Sequence, residues 1–247
     1  MPKQLKGGQM KLFDFSMQKE GKGTPAPSSG WPRAGVMALT FFWRLVAANF
    51  LFVVFSLPLI TLPAALTALN RVCVIIYRDG NIFLWHEFWK EFRRSFARSL
   101  VPGIWFALLL FGGYFFMSLG SANSGLGIAA IAFWSLGILM AITALAAGEY
   151  FFVMISVLEI RDIDACKNAL IFCFAKPGTS LAILVIIVVL SVAAAMLMPL
   201  SFFLIPFIWV VLAQYPICYI VYALIEKMIL VPHEQQQAET HSDESDS

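Results

Sequence analysis

Three charged residues stand inside long apolar runs of this chain: Arg44, Arg71 and Glu149. A charge held at such depth in a bilayer costs at least about 2.5 kcal/mol on insertion scales, so it is paired, reaches an interface, or lines a polar path. Arg44 falls about ten residues into the first run and Glu149 about ten residues before Glu159 and Arg161, each about 15 Å at the helical rise per residue. Arg71 lies about 10 Å in from Arg78 by the same rise. All three map to the inner half of the membrane as a candidate polar cluster. Arg71 is near enough to the interface to snorkel, which makes Arg44 the candidate partner of Glu149; the alternative is that the long fourth helix slides outward and leaves Glu149 unpaired among headgroups. The chemistry open to such a cluster is either packing by a shared charge or passage of a small solute.

No other residue set points to a reaction. His86, His233 and His241 fall in loops or tails without carboxylate or cysteine partners at ligand or catalytic spacing. Cys73, Cys166, Cys173 and Cys218 show no CxxC spacing and read as small apolar filler. The expectation is a protein that is not an enzyme and has no metal or cofactor. A net charge of +2, with basic residues lying between apolar runs, gives no nucleic-acid footprint.

The elements that must hold these charges are membrane helices. The chain has 247 residues, 60% hydrophobic and 13% charged, against roughly 45 to 50% and 25% in a soluble domain. That surplus of apolar surface needs lipid as solvent. The spacing predicts an all-α, polytopic membrane helix bundle of six spans, at 34–57, 64–78, 101–119, 126–158, 179–198 and 202–225. A single helix from 34 to 77 would be about 65 Å long, twice the hydrocarbon thickness, so Pro58 and Pro63 are expected to turn the chain back at the outer face. The first span, rather than a cleavable signal, is expected to direct insertion.

Residues 1–33 are basic and rich in Gly, Pro and Ser, and 227–247 are acidic. Both tails read as disordered, because they have too little to bury. Between the second and third spans, 82–100 forms an amphipathic helix. Trp85, Phe88, Trp89, Phe92 and Phe96 recur at steps of three and four as an aromatic keel, while Glu87, Lys90, Glu91, Arg93, Arg94 and Arg98 take the other face. Trp85, Phe88, Trp89, Phe92, Arg93, Arg94 and Phe96 are thus the candidate surface for anionic lipid or a partner, or an elbow lying at the interface. A second cytoplasmic element over 159–176 is expected to hold a short helix near 161–170, capped by Asp162 or Asp164 and closed before Pro177-Gly178. Pro102-Gly103 and Pro177-Gly178 each precede a span and hint at a duplicated unit.

Within the fourth span Gly137, Ala141, Ala144 and Gly148 form a stripe that admits a close neighbour. All Lys and Arg except Arg44 and Arg71 fall on one side, and the turns near 58–63, 120–125 and 199–201 carry none. By the positive-inside rule both termini are cytoplasmic.

Leu12-Phe13-Asp14-Phe15, Lys19-Glu20-Gly21-Lys22-Gly23, Asn49-Phe50-Leu51-Phe52, Ser56-Leu57-Pro58-Leu59-Ile60-Thr61-Leu62-Pro63-Ala64 and Phe88-Trp89-Lys90-Glu91-Phe92 resemble the YesL-like integral membrane proteins of Gram-positive bacteria. The specific motifs are confined to roughly the first hundred residues. Leu62 departs from the glycine usual in that family. The resemblance implies a multi-pass protein of the bacterial cell membrane, linked to carbohydrate uptake, without an established activity. Beyond the lipid bilayer, the partner it implies is a carbohydrate transporter or a membrane sensor. Three readings stay open: a non-enzymatic accessory or regulatory subunit, a small-solute transporter, and a structural membrane protein. Oligomeric state is not readable.

Overall fold

The computed structural model describes residues 30–80, 82–123, 125, 127–198 and 204–230. The tails expected at 1–33 and 227–247 lie outside the described residues except for 30–33 and 227–230, as does the turn at 199–201. Among the described residues the chain is helical and contains no strand. In order come α1 (Trp31–Thr40), α2 (Phe42–Ser56), a 3₁₀ turn (Leu59–Thr61), α3 (Leu62–Asp79), α4 (Leu84–Ala122), α5 (Ile128–Val157), α6 (Asp162–Ala175) and α7 (Pro177–Met196). A π-helical turn (Ile205–Trp209) then leads into α8 (Val210–Ile225), and a second π-helical turn (Glu226–Leu230) follows. Among the described residues, five helices are long and apolar enough to cross a membrane, and α1 with α2 makes a sixth if that bent pair is one span. The molecule is an all-α, polytopic membrane helix bundle.

The first apolar run is not the straight span its composition predicts. It breaks at Phe41, and α1 turns from α2 by 79°. Neither glycine nor proline stands at the break. Instead the Phe41 ring lies against Gly80, where an added Cβ would come within 2.8 Å of it. Gly80 has φ 72° and closes α3, so the position requires both the left-handed backbone and the missing side chain. Arg33 Nη2 completes the joint by donating to the Arg78 carbonyl at 2.7 Å, one of the last acceptors that a helix leaves unpaired.

A second departure is α4, which runs unbroken through Pro102 for 39 residues, about 58 Å long. Proline removes one backbone hydrogen bond and crowds the preceding turn, but neighbouring helices grip both sides of it. Pro63 packs on Gly103 so closely that a Cβ there would lie 2.4 Å from its ring. Pro177 instead starts α7 as its first residue. The two Pro-Gly pairs therefore occupy different structural positions and do not mark a repeat.

The bundle is packed unevenly. α3 is its most enclosed helix, buried almost continuously from Pro63 to Ile76 among α1, α2, α4, α5 and α8. Beyond Phe106, α4 buries only Gly113 and Gly120, and the first half of α5 only Ala130 and Gly137. Those glycines face one another's helix: a Cβ on Gly113 would meet the Gly137 carbonyl at 2.8 Å, and one on Gly137 the Gly113 carbonyl at 2.6 Å. Backbone contact of this kind is the ordinary glue of membrane helices.

Candidate intramembrane polar site

Asn70 lies midway along α3, Gln214 in the first half of α8 and Glu149 two turns before the end of α5. Gln214 Nε2 donates to Asn70 Oδ1 at 2.7 Å and to Glu149 Oε2 at 2.7 Å. The Cys218 thiol, one turn further along α8, approaches the same Asn70 oxygen at 3.1 Å. Asn70 and Gln214 are buried, while Glu149 is partly exposed. Each polar group removed from water or lipid headgroups costs free energy unless it is hydrogen-bonded, so three helices are held in one mutual arrangement. One donor is left over: Asn70 Nδ2 has no partner among the described residues.

A second amide serves the same junction. Asn49 Oδ1 of α2 accepts the Val211 N–H at 2.8 Å. The chain passes there from a π-helical turn to an α-helix, and that change of register strands a backbone donor in the core unless a side chain takes it. Pro216 in the same helix removes a further backbone donor.

The three charges expected to cluster are each placed differently. Glu149 has an amide partner, and no ion pair joins it to Arg44 among the described residues. The 79° break places Arg44 in the first turn of α2. Its guanidinium lies 5.2 Å from the centre of the Phe41 ring. Arg71 does not snorkel. It is buried, and Nη1 donates to the Ser156 carbonyl at 3.0 Å, an acceptor freed because α5 stops at Val157.

The aromatic keel is divided. Phe88 and Phe92 are buried, and with Trp85 and Trp89 they surround Phe55 of α2 at ring-centre distances of 5.1 to 6.3 Å. Trp85, Trp89 and Phe96 remain exposed. Phe55 precedes Pro58 by three residues, so the proline turn expected at the outer face shares an end of the bundle with the keel expected at the inner one. Glu91, expected among the outward charges, is buried. It falls on the inner stripe with Phe88, Phe92, Ser95 and Ser99, which the three-and-four spacing demands.

The remaining candidates tie α4 to the α5–α6 connection. Arg93 lies over Trp89 at 5.9 Å. Arg94 reaches Glu91 at 3.7 Å and Glu159 at 3.5 Å. Arg98 donates from Nε to Asp162 at 2.7 Å and from Nη2 to the Ile160 carbonyl. Asp162 and Asp164 do not cap α6 through their side chains. Arg161 is the N-cap residue, with no side-chain cap bond, and the two carboxylates take Arg98 and Arg161 as partners. In α6, burial pushes the Cys166 and Cys173 thiols above the usual range, against weaker opposing hydrogen bonds at Cys173.

Asn49, Asn70 and Gln214 went unmarked by sequence reasoning. The available signal was an amide in a run of apolar residues, as in Val211-Leu212-Ala213-Gln214-Tyr215. Nothing in the sequence pairs Gln214 with Asn70 across 144 positions.

Compared with known proteins, residues 45–118 match the model of a family described as a protein of unknown function, DUF624. The match runs from the first turn of α2 through most of α4. No curated protein and no solved structure matches the chain.

Proposed function

We propose that this integral membrane protein is a non-enzymatic accessory or regulatory subunit, which docks within the bilayer on another membrane protein. The observation that carries this reading is the α4–α5 hairpin beyond Phe106 and Ala144. Its buried residues pack within the hairpin itself, so both helices present apolar side chains such as Leu108, Phe115, Ile131 and Ile138 outward. Glycine-to-glycine contact makes the pair a rigid two-helix surface, a form that suits helix-to-helix docking. The charged belt of α4 and α6 supports a cytoplasmic placement of that end, by the bias of Lys and Arg. The resemblance to YesL-like proteins supports a bacterial cell membrane and a carbohydrate transporter or sensor as the partner. Purification in mild detergent, followed by identification of what accompanies the protein, tests the proposal. Subunits of a sugar transporter or a sensor are the expected companions, and a protein that emerges alone from every detergent opposes it.

The Asn70–Gln214–Glu149 site favours a second reading, a small-solute transporter. Polar side chains beside an interrupted helix are the form that intramembrane solute sites take. Solute counterflow in proteoliposomes that disappears in Gln214→Leu would support it.

A further inference from the structure

We propose that Glu149 holds an exchangeable proton inside the bilayer. Its level follows from its partners. Asn70 stands near the middle of α3, about 12 Å from either end at the helical rise, and one Gln214 nitrogen binds both Asn70 Oδ1 and Glu149 Oε2. The carboxyl therefore lies at mid-height of the most enclosed helix, which is itself long and apolar enough to span. Gln214 is its one hydrogen-bond partner among the described residues, and its second oxygen, Oε1, receives no bond there. An ionised carboxylate at such a level needs a counter-ion or several donors. The described helices around it supply neither.

The helices packed on α5 are α3, α4, α6, α7 and α8. From α3 come Arg71 and Cys73, and Arg71 donates to the Ser156 carbonyl, about two turns beyond Glu149 along α5. From α8 come the Cys218 thiol, which approaches Asn70, and Tyr215, whose hydroxyl donates to the Ala34 carbonyl. The Phe106 ring of α4 lies beside Gly148, while α6 and α7 meet this stretch at Tyr150, through Phe172 and Thr179. No ion pair reaches Glu149 among the described residues. A proton on the carboxyl removes the charge without any counter-ion. An alkali ion would need several oxygens turned toward it, whereas the cluster turns amide nitrogen inward: Gln214 Nε2 stands between the two acceptors, and the atom left over is Asn70 Nδ2. Exchange is open on one side, since Glu149 is partly exposed where Asn70 is 0% and Gln214 4% exposed. The inference goes beyond both readings above, because proton binding requires neither a docked partner nor a moving solute.

The test compares the full chain with Glu149→Gln in mild detergent by infrared difference spectroscopy. At neutral pH the difference is expected to carry the carbonyl band of a carboxylic acid, and in alkaline solution the bands of a carboxylate in its place. Dicyclohexylcarbodiimide, an apolar reagent, gives a second reading. It adds whole to a protonated carboxyl, whose oxygen bonds the central carbon while the proton passes to a nitrogen, so the adduct counts the acid form. At neutral pH Glu149 should be modified and Glu159, whose side chain is 68% exposed, should not. Labelling should fall about tenfold per pH unit once the carboxyl ionises. Neither reading uses solute counterflow, so a failure here is separate from a failure of the transport reading. Carboxylate bands already present at neutral pH in the folded parent overturn the proposal, and so does labelling that sodium suppresses and choline does not, which would assign the site to an alkali ion.

Discussion

Gln214 and Glu149, 65 residues apart, are joined by a 2.7 Å hydrogen bond from the same nitrogen that holds Asn70. One amide therefore clamps α3, α5 and α8. Gln214→Leu leaves Glu149 Oε2 without its donor and Asn70 Oδ1 with only the Cys218 thiol, and should lower stability by about 1 kcal/mol or somewhat more, as loss of buried membrane hydrogen bonds does. Glu149→Gln keeps an acceptor oxygen and should cost less than Glu149→Leu. Because the groups share one donor, the Gln214→Leu, Glu149→Leu pair should cost little more than the worse single change. Thermal unfolding in detergent checks this, and strictly additive losses would contradict the shared clamp.

The α4–α5 contact predicts a sharp dependence on side-chain size. Gly113→Val and Gly137→Val each drive a branched side chain into facing backbone, so both should reduce abundance in the membrane by severalfold. Gly35→Ala, with open space around it, should behave as the parent. Equal abundance of all three would mean that the hairpin is not held by backbone contact.

What was legible in the sequence follows from what is local. The stripe Gly137, Ala141, Ala144 and Gly148 forecast a close neighbour, and α4 supplies it, with Gly113 against Gly137 and Ala141 and with Phe106 beside Gly148. The three-and-four spacing that joins Phe88 to Phe92 correctly implied one helical face, but a period does not say whether lipid or protein covers it. Here Phe55 does. The break at Phe41 carries no local mark, and the residue its ring packs on, Gly80, is far along the chain. Pro102 misled for the converse reason: packing across Gly103 outweighs a local breaker. The expected Arg44–Glu149 pair takes the first run as one straight helix, and the bend at Phe41 is not visible in it.

Among the ion pairs, Arg98 should matter most. It binds both Asp162 and the Ile160 carbonyl, joining α4 to the start of α6, whereas Arg161 pairs with Asp164 on one exposed turn. Arg98→Ala is expected to cost about 1 to 3 kcal/mol, since its hydrogen bonds are charge-assisted, and to raise proteolytic cleavage between Leu158 and Arg161. Arg161→Ala should cost less than about 0.5 kcal/mol. Equal protease sensitivity of the two variants would count against that ranking.

Accessibility tests the orientation. Cysteine at Gly125 should react with an impermeant maleimide outside intact cells, and cysteine at Ala97, an exposed position of α4, should react only after permeabilisation. The native thiols of α6 make a quiet background, because their raised pKa keeps the thiolate fraction below that of a free cysteine at neutral pH. Their alkylation should rise only when pH passes the ordinary thiol range, and should jump on denaturation. External labelling at Ala97 would reverse the topology.

The most direct measurement of the proposed docking role is photocrosslinking in intact membranes from Phe115 and Ile138, which are exposed on the α4–α5 hairpin, compared with Val188 on α7. A partner that docks on the hairpin predicts one discrete protein adduct from the two hairpin positions, absent or weaker from Val188, and identified as a component of a membrane transporter or sensor. Lipid adducts alone from all three positions would contradict the account.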